Sequence, residues 1–237
     1  MRLLAALVLT LLTSTPAGAV ACEDVTFDGA SFTICEVGAD EDLRLFLNGP
    51  DGAPLGNFSA VAKQVEGNLA FAMNAGMFND DKRPVGLFIQ DNTQLVAASD
   101  GGGYGNFGLL PNGIFCINDR LRVWESDAYA AADPACTYAT QSGPMLVIDG
   151  ALHPKFLPDS RSFKLRNGVG TSADGSRAVF AISNGYVTFH HFARLFRDYL
   201  GLPNALFLDG SVSRLHAPSI GRSDGGFRMG PILGVVD

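Results

Sequence analysis

The stretches LAFAMNAGMF, residues 69–78, and ALFLDGSVS, residues 205–213, share the pattern that decides how this chain folds. Each begins as a short apolar run and breaks at a polar residue, Asn74 or Asp209, that is followed closely by glycine. Such runs are typical of buried strands, and such endings present one polar side chain at a sheet rim. Ordinary strand-to-turn junctions would look the same, since Asn, Asp and Gly dominate turns. The two endings lie more than a hundred residues apart, so they predict a site assembled from distant segments.

The remaining segments indicate a fold in which strands outnumber helices. Turn signals separate short apolar or alternating runs and predict hairpins at Asp28-Gly29, Asp91-Asn92, Asn118-Asp119 and Asp174-Gly175. A short helix is expected over residues 58–65 after the cap Asn57, and a longer one from Phe189 to Leu200 before Gly201. Helices do not alternate regularly with strands, so we expect an α+β, strand-rich single domain with mixed sheets and a few helices.

Residues 1–21 have the composition of a secretory signal peptide, with a positive charge, an apolar stretch and small residues at the end. The mature protein is therefore predicted to be one domain, residues 22–237, that is secreted or periplasmic. The apolar stretch from Leu3 to Leu12 is too short to span a bilayer, so no stable membrane insertion is expected. Cleavage before Cys22 also leaves a lipid-anchored form open, although Ala19 stands where lipoprotein signals usually carry leucine.

The charge balance argues against two classes of partner. The chain has 17 lysine and arginine residues against 24 aspartate and glutamate residues, and removal of the signal peptide leaves a net charge near −8. That charge disfavours nucleic acid and anionic lipid surfaces. A phosphate site must therefore be made locally, and Arg161, Lys164 and Arg166 form a basic cluster suited to it. A surface charge patch would give the same cluster.

Four cysteines, Cys22, Cys35, Cys116 and Cys136, remain after signal removal. An even number in an exported protein favours disulfides, and three connectivities are possible. We favour Cys22–Cys35 and Cys116–Cys136, because each pair flanks a predicted hairpin or a short excursion. The spacing does not suggest a zinc site.

Other motifs carry little functional signal. The stretch GYGNFG, residues 103–108, matches G-x-G-x-x-G but is followed by Leu109-Leu110-Pro111 rather than by a helix, which indicates a glycine loop instead of a dinucleotide site. The sequence has no G-x-S-x-G nucleophile elbow, and its four histidines lack the spacing of a zinc helix.

Six segments occur in the order typical of the phosphodiester glycosidase family, which the chain resembles over roughly residues 60–236. These segments are NAGMF at 74–78, PVGL at 84–87, NGIF at 112–115, QSGPML at 141–146, RNGVG at 166–170 and LDGSVS at 208–213. Two departures are visible: Asn167-Gly168 stands where the family often has Thr-Ala, and Ser211 where it often has a second glycine.

The resemblance implies an exported hydrolase that cleaves the sugar–phosphate bond of a glycosyl-1-phosphodiester, on cell-envelope or extracellular glycan. It implies that Asp209 acts as the nucleophile or as the base for water, that Arg166 grips the phosphate, and that Asn74 bonds the sugar or the phosphate. Substrate-binding candidates are Gly76, Phe78, Gln141, Ser142, Gly143, Gly210 and Ser213. A second carboxylate stays open among Asp149, Asp159 and Asp224.

This interpretation requires Asn74, Arg166 and Asp209 to converge on one cavity. Two alternatives remain: a non-catalytic protein that binds polysaccharide, and a metal-dependent phosphodiesterase with Asp209 and Asn74 as ligands of a hard cation. The expected partner is a glycan or glycosyl-phosphate substrate and not a nucleic acid. No cofactor is expected, with a divalent cation left open.

Overall fold

The computed structural model describes residues 20–102 and 105–237, and within them strands dominate. Nearly all of the predicted signal peptide and the first two residues of the glycine loop lie outside the described residues. The strands up to the middle of the chain are β1 Ala21–Phe27, β2 Ala30–Gly38, β3 Leu43–Phe46, β4 Leu69–Asn74, β5 Phe88–Gln90, β6 Thr93–Val96, β7 Gly113–Ile117, β8 Leu121–Glu125 and β9 Tyr138–Ser142. The later strands are β10 Met145–Ile148, β11 Ala151–Leu152, β12 Asn167–Thr171, β13 Arg177–Ser183, β14 Asn204–Asp209, β15 Leu215–Ala217, β16 Arg222–Ser223 and β17 Ile232–Val236. The helices are α1 Phe58–Ala62, α2 Ser126–Ala132 and α3 Phe189–Arg194.

The strands form three sheets. The first sheet has the order β1-β2-β13-β12-β14-β10-β11, the second β16-β15-β4-β17-β3, and the third β6-β5-β9-β7-β8. The predicted α+β class and the predominance of strands are confirmed. The expectation of mixed sheets is wrong, because each pairing between the described strands is antiparallel. Some neighbouring strands, such as β1 and β2, follow each other in the chain, whereas others, such as β2 and β13, are far apart in sequence.

The main hydrophobic core lies where the three sheets face one another. Phe180 of the first sheet has its ring centroid 5.1 Å from that of Phe71 in the second sheet and 5.8 Å from that of Phe115 in the third. All three rings are fully buried. Apolar burial at this junction is the main stabilising contribution and fixes the sheets relative to one another.

The opposite face of the first sheet is covered by α3, which continues as a π-helical turn over Leu195–Tyr199. Phe192 and Phe196 of this segment are fully buried, and Phe192 packs against Phe32 of β2. A side chain at Gly170 of β12 would place its Cβ 2.7 Å from Phe196 Cδ1. Glycine in this strand therefore allows the helical segment to approach the sheet closely.

Two disulfides join the cysteine pairs that the sequence favours. Cys22 and Cys35 occupy directly opposed positions of β1 and β2. Cys116 of β7 is bonded to Cys136, which follows α2. Within the described residues no helix is long and apolar enough to cross a membrane.

We expect the Cys116→Ala/Cys136→Ala double variant to lose about 3 kcal/mol of unfolding free energy, because this disulfide closes a loop of 20 residues in the unfolded chain. Urea denaturation of the oxidised protein and the variant measures the difference. Reductant should destabilise a protein that retains this bond. An unchanged denaturation midpoint in the double variant would contradict the estimate.

Candidate active site

The ends of β4, β12 and β14 lie together where the first and second sheets meet. The register of the first sheet places Asn167, the first residue of β12, opposite Asp209, the last residue of β14. Asn74 is the last residue of β4 in the second sheet. Because β12 and β14 run antiparallel, the beginning of one strand and the end of the other share an edge.

Asn167 connects these strand ends through its fully buried side chain. Its Nδ2 donates to Asn74 Oδ1, and its Oδ1 accepts from the Asp209 backbone N–H at 2.8 Å. Asn74 Oδ1 also accepts from the Arg214 backbone N–H at 3.0 Å. We call Asn74, Asn167 and the backbone of Asp209 the polar junction.

The third sheet is tied to the same region. Ser142, at the end of β9, donates its hydroxyl to the carbonyl of Leu208 at 2.8 Å. Thr140 of the same strand donates to the carbonyl of Ala75 at 2.8 Å. The segments on either side of the polar junction are thus held from three sheets.

The Asp209 carboxylate is held by the turn that follows it. Its Oδ1 accepts from the backbone N–H groups of Gly210 at 2.6 Å and Ser211 at 3.1 Å. Burial raises the pKa of this carboxyl above its ordinary value, and the hydrogen bonds from the backbone oppose the rise only in part. Ser213 closes the turn, because its hydroxyl lies 3.0 Å from the Asp209 carbonyl.

The Arg166 guanidinium lies against an aromatic ring and backbone carbonyls. Its guanidinium carbon lies 3.5 Å from the ring centroid of Phe189, Nε donates to the Val187 carbonyl at 3.0 Å, and Nη2 donates to the Ser162 carbonyl at 3.0 Å. Within the described part of the chain it forms no ion pair with a carboxylate. Burial lowers the pKa of Arg166 to about 10, so the group remains charged at neutral pH.

A stack of aromatic rings supports this guanidinium. Phe189 lies parallel to Phe156 at 5.0 Å between centroids, and Phe156 stacks on His153 at 4.7 Å. Phe207 meets Phe189 edge-on at 4.8 Å. Cation–π contact and two carbonyl acceptors stabilise the buried charge of Arg166 in place of a carboxylate.

A cavity of about 660 Å³ opens beside this region, and we call it the basic cavity. It is lined by Asn106, Ser162, Phe163, Lys164, Leu165, Arg166, Tyr186, Gly210 and Ser211. The lining contains two cationic side chains and no carboxylate. The cavity lining includes Gly210 and Ser211, whose N–H groups hold the Asp209 carboxylate, so the acid lies close to the cavity.

The three predicted catalytic residues lie near one edge of the fold, but they do not share one cavity as expected, because Arg166 lines the basic cavity whereas Asn74 and Asp209 do not. Asn74 and Asp209 are joined through Asn167, whereas the Arg166 side chain lies among aromatic rings and lines the basic cavity. Asn74 is fully buried, and its Nδ2 has no hydrogen-bond partner among the described residues. The catalytic roles of the three residues stay predictions.

The predicted glycines of the site pack closely against other segments. Gly76 has φ +148°, and a Cβ there would lie 3.1 Å from Thr140 Oγ1. A Cβ on Gly143 would overlap the side-chain oxygen of Asn112, and one on Gly210 would lie 3.0 Å from the Leu165 carbonyl. Close packing therefore requires glycine at Gly143 even without a ligand.

Gln141 and Phe78 make structural contacts. Gln141 Oε1 accepts from the N–H groups of Leu87 and Ser99, and Nε2 donates to the Ser99 carbonyl at 2.7 Å. Both ends of this buried amide are thus used to hold the segment around Ser99. Phe78 is half-buried, bridges to Pro84 and lies under the Lys82 ammonium at 4.8 Å. Substrate binding by either residue remains a prediction.

Two of the three candidates for a second carboxylate have other hydrogen-bond partners, and a role for Asp159 stays a prediction. Asp149 is hydrogen-bonded to Asn204, which begins β14 at the end opposite Asp209. Asp224 pairs with Arg222 at 3.0 Å. In the ranges 20–102 and 105–237 no three His, Cys, Asp or Glu side chains are grouped so as to hold a metal ion. Whether the activity needs a cofactor stays open.

Sequence reasoning missed the linking role of Asn167 and the position of Lys164 in the cavity. Asn167 was noticed only as a departure from the family pattern, and Lys164 only as a member of a basic cluster. The available signal for Asn167 was a buried strand that starts with a polar residue directly after arginine.

Comparison with known proteins gives concordant results. The model of a family described as phosphodiester glycosidase matches residues 67–217. The uncharacterized protein YigE of Escherichia coli K12 is 32% identical over 216 residues, which cover 89% of this chain and 83% of that protein.

Two solved structures share the fold. The catalytic domain of zebrafish N-acetylglucosamine-1-phosphodiester alpha-N-acetylglucosaminidase, auto-inhibited by its pro-peptide, superposes with a TM-score of 0.65 at 15% identity, over 94% of this chain and 85% of that one. A hypothetical protein from Synechocystis gives a TM-score of 0.58 at 14% identity, over 92% of this chain and 62% of that one.

We expect Asn167→Ala to destabilise the fold by roughly 2 to 4 kcal/mol, because the Asp209 N–H loses its acceptor and Asn74 Oδ1 loses a donor in a buried setting. Urea denaturation measures the loss. The control is Asn184→Ala, which removes an exposed amide that also makes hydrogen bonds and should cost less than about 1 kcal/mol. Equal losses in the two variants would contradict the importance of the polar junction.

We expect Asp209→Asn to be more stable than the wild type at pH 7. Since burial raises the pKa of Asp209, the protonated form favours the fold, and its contribution is lost as the pH rises through that raised pKa. The difference in melting temperature should therefore shrink as the pH falls towards about 4.

Asp174→Asn provides a control of opposite sign. Hydrogen bonds from Ser172 and Ser176 lower the pKa of Asp174 to about 2, so its carboxylate stabilises the fold at neutral pH and loses that effect on acidification. Its replacement should lower the melting temperature at pH 7. A wild type more stable than Asp209→Asn at pH 7 would refute the assignment of a desolvated carboxylate.

Proposed function

The chain belongs to the phosphodiester glycosidase family, and we propose that it is an exported hydrolase of a glycosyl-1-phosphodiester in cell-envelope or extracellular glycan. The bond cleaved joins an anomeric carbon to a phosphate oxygen, and the products are a free sugar and a phosphomonoester. The observation that carries the proposal is a half-buried carboxylate, Asp209, held by the N–H groups of a turn that lines a cavity with two cations and no acid.

The phosphate half of the substrate fits the basic cavity. The chain has a formal net charge of −7, so attraction of an anion depends on cations at short range. Lys164 is exposed at the cavity and free to approach a phosphate oxygen, while Arg166 supplies a charge that is fixed by the aromatic stack. Both charges favour the negative charge that develops on the departing phosphate.

Asp209 is the proposed group that acts at the anomeric carbon. Either its carboxylate attacks that carbon directly and water then hydrolyses the glycosyl ester to release the free sugar, or it takes a proton from a water molecule that attacks. In both cases the carbon–oxygen bond to phosphate breaks, and its electron pair leaves with the phosphate. A raised pKa suits a base, because proton acceptance is stronger near neutral pH. The polar junction holds the backbone of Asp209, which keeps the carboxylate in position.

Two observations support export and the choice of first substrate. Disulfides are typical of oxidising compartments outside the cytoplasm, and this chain carries two. The zebrafish protein of similar fold is named for action on N-acetylglucosamine-1-phosphodiester, so α-linked N-acetylglucosamine-1-phosphodiesters are the first compounds to assay.

The test is a panel of sugar-1-phosphodiesters, with phosphate-free aryl glycosides as controls. We expect turnover of at least one phosphodiester, and we expect Asp209→Asn to lower kcat by about 100-fold or more while the protein stays folded. Lys164→Ala should raise KM for the phosphodiester and leave any aryl glycoside turnover unchanged. Lys155→Ala removes an exposed lysine outside the cavity and serves as the matched control.

The alternatives give different results in the same assays. Retention of glycan without turnover of any phosphodiester would indicate a non-catalytic binder. Loss of turnover with a chelator, restored by a divalent cation, would indicate the metal-dependent phosphodiesterase. Normal kcat in Asp209→Asn would remove that residue from catalysis.

A further inference from the structure

A second pocket lies at the end of β12 and β14 that is farthest from Asp209. Asn204, the first residue of β14, pairs with Thr171, the last residue of β12, whereas Asp209 ends β14. At about 3.4 Å per strand residue, Asn204 lies about 17 Å from Asp209 along the strand. We call this pocket the Trp124 pocket, and its lining includes Arg122, Trp124, Glu125, Asp149, Ser172 and Asn204.

Hydrogen bonds between neighbouring segments build the walls of the Trp124 pocket. The Val123 N–H of β8, in the third sheet, donates to Thr171 Oγ1 of the first sheet at 3.2 Å. The Asp149 N–H donates to Asn204 Oδ1 at 3.0 Å, which ties the turn after β10 to the start of β14. The pocket is therefore formed between two sheets that are bonded to each other.

Several polar groups of this pocket are available for a ligand. Among the described residues, the guanidinium of half-buried Arg122 forms no hydrogen bond or ion pair and lies 5.7 Å from the Trp124 ring centroid. Glu125 Oε2 accepts from two backbone N–H groups at the start of α2, which fixes the carboxylate and leaves Oε1 available. The Asp149 carboxylate accepts one long hydrogen bond, from Asn204 Nδ2 at 3.4 Å.

The charges of the lining select the class of ligand. One guanidinium stands beside two carboxylates, so a phosphate or a uronic acid would meet an excess of negative charge. An amine would be repelled by Arg122. A neutral sugar avoids both penalties, because each hydroxyl can donate to a carboxylate and accept from the guanidinium.

The shape of the pocket suits one sugar ring. Its volume is about 250 Å³, below the range of sites that hold drug-sized ligands. The apolar C–H face of a pyranose can pack against the indole of Trp124, as apolar groups do against aromatic rings.

We propose that the Trp124 pocket is a second, non-catalytic binding site for one neutral pyranose unit of a glycan. A sugar bound there lies too far from Asp209 to take part in the proposed hydrolysis. It would hold a long glycan on the protein through a separate contact and so raise the effective concentration of the other units of that glycan.

The test uses tryptophan fluorescence, because Trp124 is the single tryptophan of the chain. The protein is titrated with methyl α-glucopyranoside, methyl α-galactopyranoside, methyl α-mannopyranoside and N-acetylglucosamine, and with glucuronate and glucosamine as charged counterparts. We expect at least one neutral sugar to change the emission in a saturable way, with a Kd on the order of 1 mM. Both charged sugars should bind more weakly.

Two variants test the assignment to this pocket. Arg122→Gln removes the guanidinium, and Asp149→Gly removes the carboxylate from a turn residue whose φ of +47° suits glycine. Each should weaken binding of the neutral sugar about tenfold. Arg120→Gln is the matched control, because Arg120 is exposed and does not line the pocket, so its Kd should equal that of the wild type. Thermal unfolding verifies that each variant is folded.

The outcomes separate the second site from the proposed function. A change in emission that persists in Asp209→Asn supports a site apart from the catalytic one, and its loss in that variant argues against one. No saturable change with any of the four neutral sugars, an unchanged Kd in either pocket variant, or tighter binding of a charged sugar overturns the site. Saturable binding by a protein that hydrolyses no phosphodiester supports the site and refutes the hydrolase, whereas hydrolysis without any sugar-induced change in emission overturns the site alone.

Discussion

The hydrogen bonds of Asn167 are the constraint on which the rest of the site depends. Its amide joins the second sheet, through Asn74, to the last residue of β14 in the first sheet. These groups are buried, so breaking either bond leaves a polar atom unpaired in the core. Ser142 adds the third sheet to the same place through the carbonyl of Leu208. The carboxylate of Asp209 is therefore positioned by the packing of whole sheets, and a local loop movement cannot displace it easily.

The charged side chains of Asp209 and Arg166 lie near Asn167 and are stabilised by different kinds of contact. Asp209 keeps hydrogen bonds from two backbone N–H groups, yet burial dominates and raises its pKa, so the charged form is held at a cost to stability. Arg166 has no carboxylate partner in the described structure and is compensated by the Phe189 ring and by carbonyl oxygens. A direct ion pair would have neutralised both groups. Because Asp209 and Arg166 are not paired with each other, the turn keeps a negative charge and the cavity keeps a positive charge. The proposed cleavage of a glycosyl–phosphate linkage uses both charges.

Local patterns in the sequence predicted most strands, because period and turn chemistry are properties of neighbouring residues. These patterns correctly predicted that one strand ends at Asn74 and another at Asp209. They also correctly predicted the pairing of the four cysteines. The strand Ile232–Val236 was not predicted, although the turn-forming pair Gly230-Pro231 directly precedes its apolar run. The orientation of Arg166 was not predictable, because Phe189 and Phe207 are distant in sequence and only the packed fold brings their rings to the guanidinium.

The acidity of the chain opposes the binding of phosphate. With a formal net charge of −7 the protein as a whole repels phosphate, and salt screens this repulsion beyond a Debye length. Only Lys164 and Arg166 attract it at the basic cavity, and Arg166 is already committed to carbonyl acceptors. Affinity for a bare phosphate should accordingly be low. Attraction of a phosphate to this cavity therefore depends on the short-range charge of Lys164, whose side chain is exposed, rather than on the field of the whole chain.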